Sequence, residues 1–221
     1  DREFNAICRK VWGYTLDDFD DDQLSPADHK WLDALTQKRA AFPGLLEIPA
    51  LLAKTYLLRV ERDAGVLDPA LDYATAADLA SEVLRLDPDH EDARLILAQA
   101  RYGQGDSEAA LAAATEAVRR HPQRPGAHIL VGRAAYDQFV QYKRLLAQQD
   151  LGGAKEPLLV SLDAARKQAV DSFRRAAELD PARPFPHIML GQISALEHDD
   201  QATLAAWSKA LAIDPDARVD H

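Results

Sequence analysis

Four prolines stand in phase along this chain and constrain it more than any other feature. Leu86-Asp87-Pro88 recurs as Leu179-Asp180-Pro181 and as Ile213-Asp214-Pro215, with a degenerate fourth copy in Arg120-His121-Pro122. Pro88 to Pro122 is a step of 34, and so is Pro181 to Pro215; the middle step of 59 is 34 plus an insertion of 25. A second self-match keeps the same register. Arg124-Pro125-Gly126-Ala127-His128-Ile129-Leu130-Val131-Gly132 parallels Arg183-Pro184-Phe185-Pro186-His187-Ile188-Met189-Leu190-Gly191. A fixed period of this length signals a solenoid of stacked supersecondary units.

Each unit reads as helical. Ahead of the prolines lie Ala110, Ala114, Ala117 and Val118, then Ala169, Phe173, Ala176 and Ala177, then Leu204, Trp207, Ala210 and Leu211. Spacings of three and four place each set on one helical stripe. Proline cannot continue a helix and closes each one. Gly105-Asp106 reads as a tight turn between two helices, and no alternating pattern is long enough for a strand. With 221 residues, 47% of them hydrophobic, the chain can bury a core of one large domain or two small ones. No uninterrupted apolar run approaches the roughly 18 residues of a membrane-spanning helix, so no span is expected. The net charge of −10 argues against general nucleic-acid binding. Cys8, the single cysteine, makes neither an internal disulfide nor a thiolate zinc site; it reads as a small apolar residue on a helix with Phe4, Ile7 and Val11. The sequence opens on Asp1 rather than Met, as a processed or partial chain would, and residues 1–20 lack the layout of a secretory signal.

These residues resemble the tetratricopeptide-repeat (TPR) family, whose unit is a 34-residue helix–turn–helix with a Leu-Gly pair in the first helix, Ala and an aromatic four apart in the second, then proline. Here the first pair reads Leu97-Ala98, Val131-Gly132 and Leu190-Gly191. The second reads Ala76/Ala80, Ala110/Ala114, Ala169/Phe173 and Thr203/Trp207, with proline eight residues on each time. The chain departs from the family where a tryptophan is usual, carrying Arg94, His128 and His187, and where a tyrosine is usual, carrying Arg101, Ala135 and Ser194. The resemblance covers residues 45–217 and implies an all-α, right-handed superhelix of antiparallel helix pairs.

The expected organisation follows. Residues 1–43 form a helical cap or interaction arm with an acidic turn. Residues 44–217 form the solenoid, divided at about 45–90, 91–124, 125–183 and 184–217, and 218–221 form a tail. Ser25-Pro26 is a helix-start signal and Pro43-Gly44 a stop. The first repeat is expected to place its helices at 47–63 and from about Leu71 to Leu86. In the third repeat, apolar spacing continues through Ala135, Phe139, Tyr142 and Leu146 and resumes as Leu159, Leu162, Ala165 and Ala169 beyond Gly152-Gly153. This predicts that the insertion lengthens both helices into a hairpin projecting roughly 18 Å beyond the stack.

No catalytic constellation stands out, and no cofactor or metal is expected. Gly103 and Gly105 read as an inter-helix turn, not a phosphate loop. Asp18, Asp20 and Asp22 imitate the start of a calcium loop, but Gln23 and His29 occupy the positions that need glycine and glutamate. His128 and His187, at equivalent positions, read as packing or capping residues just inside helix starts.

Binding is the expected activity. In the family the first helices line a concave groove. Matching positions here are Asp92, Leu95, Gln99 and Tyr102 in the second repeat, Gly126, Ile129, Arg133 and Tyr136 in the third, and Phe185, Ile188, Gln192 and Ala195 in the fourth. The resemblance implies that Tyr102, Tyr136 and Phe185 anchor a peptide or protein and that Arg133 orients it. The carboxylate clamp of chaperone-binding TPR proteins is not expected, since its positions hold Leu95, Gln99, Leu130, Phe185 and Met189. The chain is therefore read as a non-enzymatic scaffold or adaptor, suited to bacterial complex assembly in cytoplasm or periplasm. Its rivals are a docking domain of a longer enzyme and a self-associating structural protein.

Overall fold

The computed structural model describes residues 29–42, 44–61, 68–148, 153 and 155–217. Among these, the helices are α1 (His29–Ala41), α2 (Glu47–Glu61), α3 (Pro69–Leu86), α4 (Glu91–Gly103), α5 (Ser107–Arg120), α6 (Pro125–Leu146), α7 (Lys155–Leu179), α8 (Phe185–Leu196) and α9 (Asp200–Ile213). No described residue lies in a strand. The expected readings of Cys8, of the helix carrying Phe4, Ile7 and Val11, of the acidic run and of Ser25-Pro26 fall outside the described residues.

The in-phase prolines occupy one recurring turn. Before each of them, the amides of Asp87, His121, Asp180 and Asp214 close the preceding helix on Val83, Ala117, Ala176 and Ala210 at 2.8–2.9 Å. The same residues' carbonyls then accept from His90, Arg124, Arg183 and Ala217. Proline disfavours helical geometry in the residue before it. Asp87, His121 and Asp214 accordingly take φ near −130° with ψ well above zero. Asp87 and Asp214 add a side-chain bond to the amide two residues on, at 3.0 Å; the degenerate copy has His121 there.

The turns inside the repeats also share one design. Asp106 and Asp199 accept the amides of Ala109 and Ala202 at 3.0 Å, capping α5 and α9. Upstream, the Asp106 amide reaches Arg101 and the Asp199 amide reaches Ser194, a six-residue closure at the ends of α4 and α8. That closure needs a left-handed residue, supplied by Gly105 at φ 77° and by His198 at φ 61°. Gly103, expected in this turn, is instead the last residue of α4. A Cβ there would run into the Tyr73 ring of α3. Helix α3 likewise starts at Pro69, two residues earlier than expected, because Asp68 caps it through the amides of Ala70 and Leu71.

Each helix packs on its sequence neighbour, and α4 also touches α2 and α6. This is the contact pattern of stacked pairs. The core is a row of local clusters: one spans α1 to α4 around Leu35, Ile48, Leu52, Leu57 and Val83. A second joins α4, α5 and α6 through Ala98, Ala114, Leu130 and Val131. A third joins α6, α7 and α8 around Phe139, Phe173, Met189 and Ile193. Where the second helix brings an aromatic, the first brings glycine. A Cβ on Gly132 would sit 2.7 Å from Phe173, and one on Gly191 would run into the Trp207 indole. Where the second helix brings Ala114, the first can carry Ala98.

Helices α6 and α7 have 22 and 25 residues, against 12 to 14 in α4, α5, α8 and α9. Their mutual contact is the most extensive in the fold. Phe139, Ala165 and Ala169 are buried between them, and Leu159 and Val160 are exposed. Lys143 donates its ammonium to the Leu196 carbonyl, and Arg166 pairs with Glu197 at 3.4 Å. The long pair is thus tied to the α8–α9 turn. At the other end of the stack, Arg59 grips Asp72 with both ends of its guanidinium, the Nε–Oδ2 bond being 2.7 Å. Asp72 is buried, so the pair locks α2 to α3.

Candidate functional site

The first helices α4, α6 and α8 carry the residues matched to the groove. Leu95, Gln99, Tyr102, Arg133, Tyr136, Phe185, Ile188 and Gln192 are all half-buried, with polar or apolar surface left to solvent. Ile129 is buried, and Asp92 is exposed and held by Arg124 at 2.5 Å. Arg124 also pairs with Glu91, which turns that edge into an ionic seam between repeats. Two positions compared with the chaperone clamp, Leu130 and Met189, are buried in the core.

The centre of this face is a three-residue cluster. The Arg133 guanidinium lies over the Tyr102 ring, 4.3 Å from its centroid, a cation–π contact across the α4–α6 junction. Burial first, then the nearby Asp137 carboxylate, pushes the Tyr102 phenol above its ordinary range, with Arg133 opposing. Tyr136 is pushed up by burial and then by Asp137. The sequence-derived set lacks Asp137. Its signal is its place four residues after Arg133, on one helical face. At the α8 end, Phe185 meets the Phe173 ring edge-on, with centroids 6.2 Å apart. The resulting surface offers aromatic faces, one stacked guanidinium and a carboxylate. Among the described residues, no group of three or more His, Cys, Asp or Glu side chains is placed to hold a metal ion, and no helix is long and apolar enough to cross a membrane.

The positions where the family carries tryptophan hold the inter-repeat turns together. Arg94 donates to the Pro88 carbonyl, and the buried His128 ring meets the Pro122 carbonyl at 2.9 Å through Nε2.

Stacked helix pairs closed by one recurring proline turn define an α-solenoid, with a half-exposed aromatic face along its first helices. Residues 70–134 match the tetratricopeptide-repeat family profile, and the described helices form a solenoid of the TPR type. Among solved structures it is similar to TTC0263, a thermophilic TPR protein of Thermus thermophilus. The identity is 20% over 77% of this chain and 75% of that one, with a TM-score of 0.57. It is similar also to MamA 41-end from Desulfovibrio magneticus RS-1, at 17% identity over 98% and 95% of the two chains and a TM-score of 0.61. A monomeric mutant of IFIT1, solved with m7Gppp-AAAA, shares the fold at 16% identity and a TM-score of 0.58; the match covers 97% of this chain and 55% of IFIT1. At these identities the likeness is one of fold. No curated protein sequence matches the chain.

Proposed function

We propose that this chain is a non-enzymatic adaptor that holds an extended peptide or short helix of a protein partner against its first-helix face. The observation that carries the reading is the Tyr102–Arg133–Asp137 cluster beside Tyr136. Its aromatic surfaces are ordered by their own contacts yet left half-open, which lowers the entropy lost on binding. Leu95, Gln99, Phe185, Ile188 and Gln192 extend that face along the stack, and Asp92 and Ile129 frame it as rim and floor.

Peptides selected on the wild-type chain from a random library supply the test. Tyr136→Ala and Arg133→Ala should each weaken their binding about tenfold or more, as truncated anchors do, with the melting temperature little changed. Unaltered affinity in both variants would remove the groove from the account.

A second reading is supported by exposed Leu159 and Val160 near the start of α7: the long helix pair docks a second copy. Sedimentation at two concentrations should then show a concentration-dependent dimer that Val160→Asp disperses; a monomer at both concentrations excludes it.

A further inference from the structure

The proline turns repeat, but the helix faces beside the Pro181 turn differ from those of the earlier repeats. Second helices α7 and α9 both pack against α8, which forms the floor between them. They leave a cavity of about 620 Å³ lined by Arg166, Val170, Arg174, His187, Leu190 and Lys209, among others. Two differences between repeats account for it. The position of His187 is held by Arg94 and His128 in the two preceding repeats, and both of those reach back six residues to a proline carbonyl. His187 makes no such bond to Pro181 among the described contacts and lines the cavity instead. The α9 wall is Ala202, Ala205 and Ala206; one repeat earlier the same wall of α7 carries Gln168, Asp171 and Ser172. Alanine leaves open the volume that longer side chains would occupy.

Arg166, Arg174 and Lys209 line the cavity together with Glu178, Glu197 and Asp199, and they differ in how they are paired. Arg166 is neutralised by Asp163 and Glu197, and Glu178 by Arg175. Among the described residues, Arg174 and Lys209 have no ion-pair or hydrogen-bond partner. Burial, then the Lys209 charge, lowers the His187 pKa, so the ring is a neutral donor or acceptor beside Lys209. This is an acid-rich chain, with 36 carboxylates to 26 Lys and Arg, yet no carboxylate was placed against these two. The open cations sit at one end of an apolar floor made by Val170, Leu190 and the alanine wall.

We infer that the α7–α8–α9 cleft is a second docking site, for an acidic peptide that lays an apolar side chain on Leu190 and Val170 and a carboxylate between Arg174 and Lys209. From Arg166 to Glu178 the cleft runs about 18 Å along α7. That accommodates about five extended residues. Helical phase sets it apart from the first-helix face: α8 presents Ile188 and Gln192 on one side and His187, Leu190 and Ser194 on the other. The two sites can be filled together.

The probe is a blocked six-residue peptide alternating aspartate and leucine, titrated into the isotope-labelled full chain to about 1 mM, where weak complexes still register. Saturable shifts are expected at the Trp207 indole, which donates to the Ile188 carbonyl at 3.3 Å, and at the amides of Leu190 and Ala206. Arg174→Glu with Lys209→Glu should weaken the peptide at least about tenfold while Tyr136→Ala leaves it unchanged, and replacing aspartate by lysine in the peptide should abolish the shifts. Both charge changes are on exposed side chains, and an unshifted melting temperature certifies the fold. The inference is overturned by flat spectra through the whole titration, by shifts confined to α4 and α6, or by undiminished affinity in the double variant.

Discussion

His198 is a single residue with an L side chain where the backbone asks for none. At φ 61° it performs the turn that Gly105 performs at φ 77°, with the same closure bonds around it. A Cβ in the left-handed region costs about 1 kcal/mol. His198→Gly should therefore raise stability by about 0.5–1 kcal/mol, and Gly105→Ala should lower it by about 1 kcal/mol or more, both read from urea midpoints. Glu116 carries a different residue-scale prediction. Hydrogen bonds from Arg119, then Arg120, hold its carboxyl at about 2 against an ordinary 4.5. A depressed carboxylate stabilises the fold above its ordinary pKa, and that contribution is lost as pH falls through the depressed value. NMR titration of the Glu116 side chain should show a midpoint near 2 that climbs in high salt, since the pair is solvent-screened. A midpoint at the ordinary value would show that these bonds do not persist in solution.

Between elements, the fit of first helix to second is a matched exchange of volume. Phe173 lies on Gly132, Trp207 lies on Gly191, and Ala98 faces Ala114 in the α4–α5 pair. Interiors tolerate neither the extra methyl nor the empty ring site. Gly132→Ala should cost about 1–3 kcal/mol through overpacking, and Phe173→Ala about 3–5 kcal/mol through the void it leaves. The double variant recreates the Ala98–Ala114 arrangement and should cost less than the sum, with a coupling of about 1 kcal/mol or more from a double-mutant cycle. Strict additivity would show that the two sites do not share the space. The sequence displays this exchange already, as Leu-Ala in one repeat and Val-Gly or Leu-Gly in the others. The distances that make it a contact come only with the packed helices.

Across the whole molecule, equivalent positions cease to be equivalent at the end of the stack. Leu204 stands in the last repeat where Ala77 stands in the first, once the insertion is taken out of the count. Ala77 is buried, because α4 follows α3; Leu204 is 65% exposed on α9, the last described helix. Ala77→Gln should unfold the chain at ordinary temperature or cost several kcal/mol, as a polar group forced into the core does. Leu204→Gln should change stability by less than about 0.5 kcal/mol. Thermal melts of the two variants check this, and equal losses would mean that something covers α9.

The positions of the proline turns, the pairing of glycine with aromatic and the run of helices were legible in the linear order of residues. Periodicity, proline geometry and side-chain volume act over a few neighbours and need no partner from elsewhere in the chain. The positions that the family resemblance assigns to the first-helix face, Tyr102, Arg133 and Tyr136 among them, could be counted along the repeat. What counting could not deliver was which of those positions remains open. Ile129 sinks into the core, Asp92 is taken by Arg124, and Asp137 joins the face from α6 beside Tyr102. The cleft between α7 and α9 lies further still from the linear order. It depends on a histidine that leaves its proline carbonyl unbonded, on an alanine wall met by another repeat's helix, and on cations whose neighbours are all elsewhere in sequence. Burial, ion pairing and empty volume are sums over residues distant along the chain, and they take their values only when the repeats are stacked.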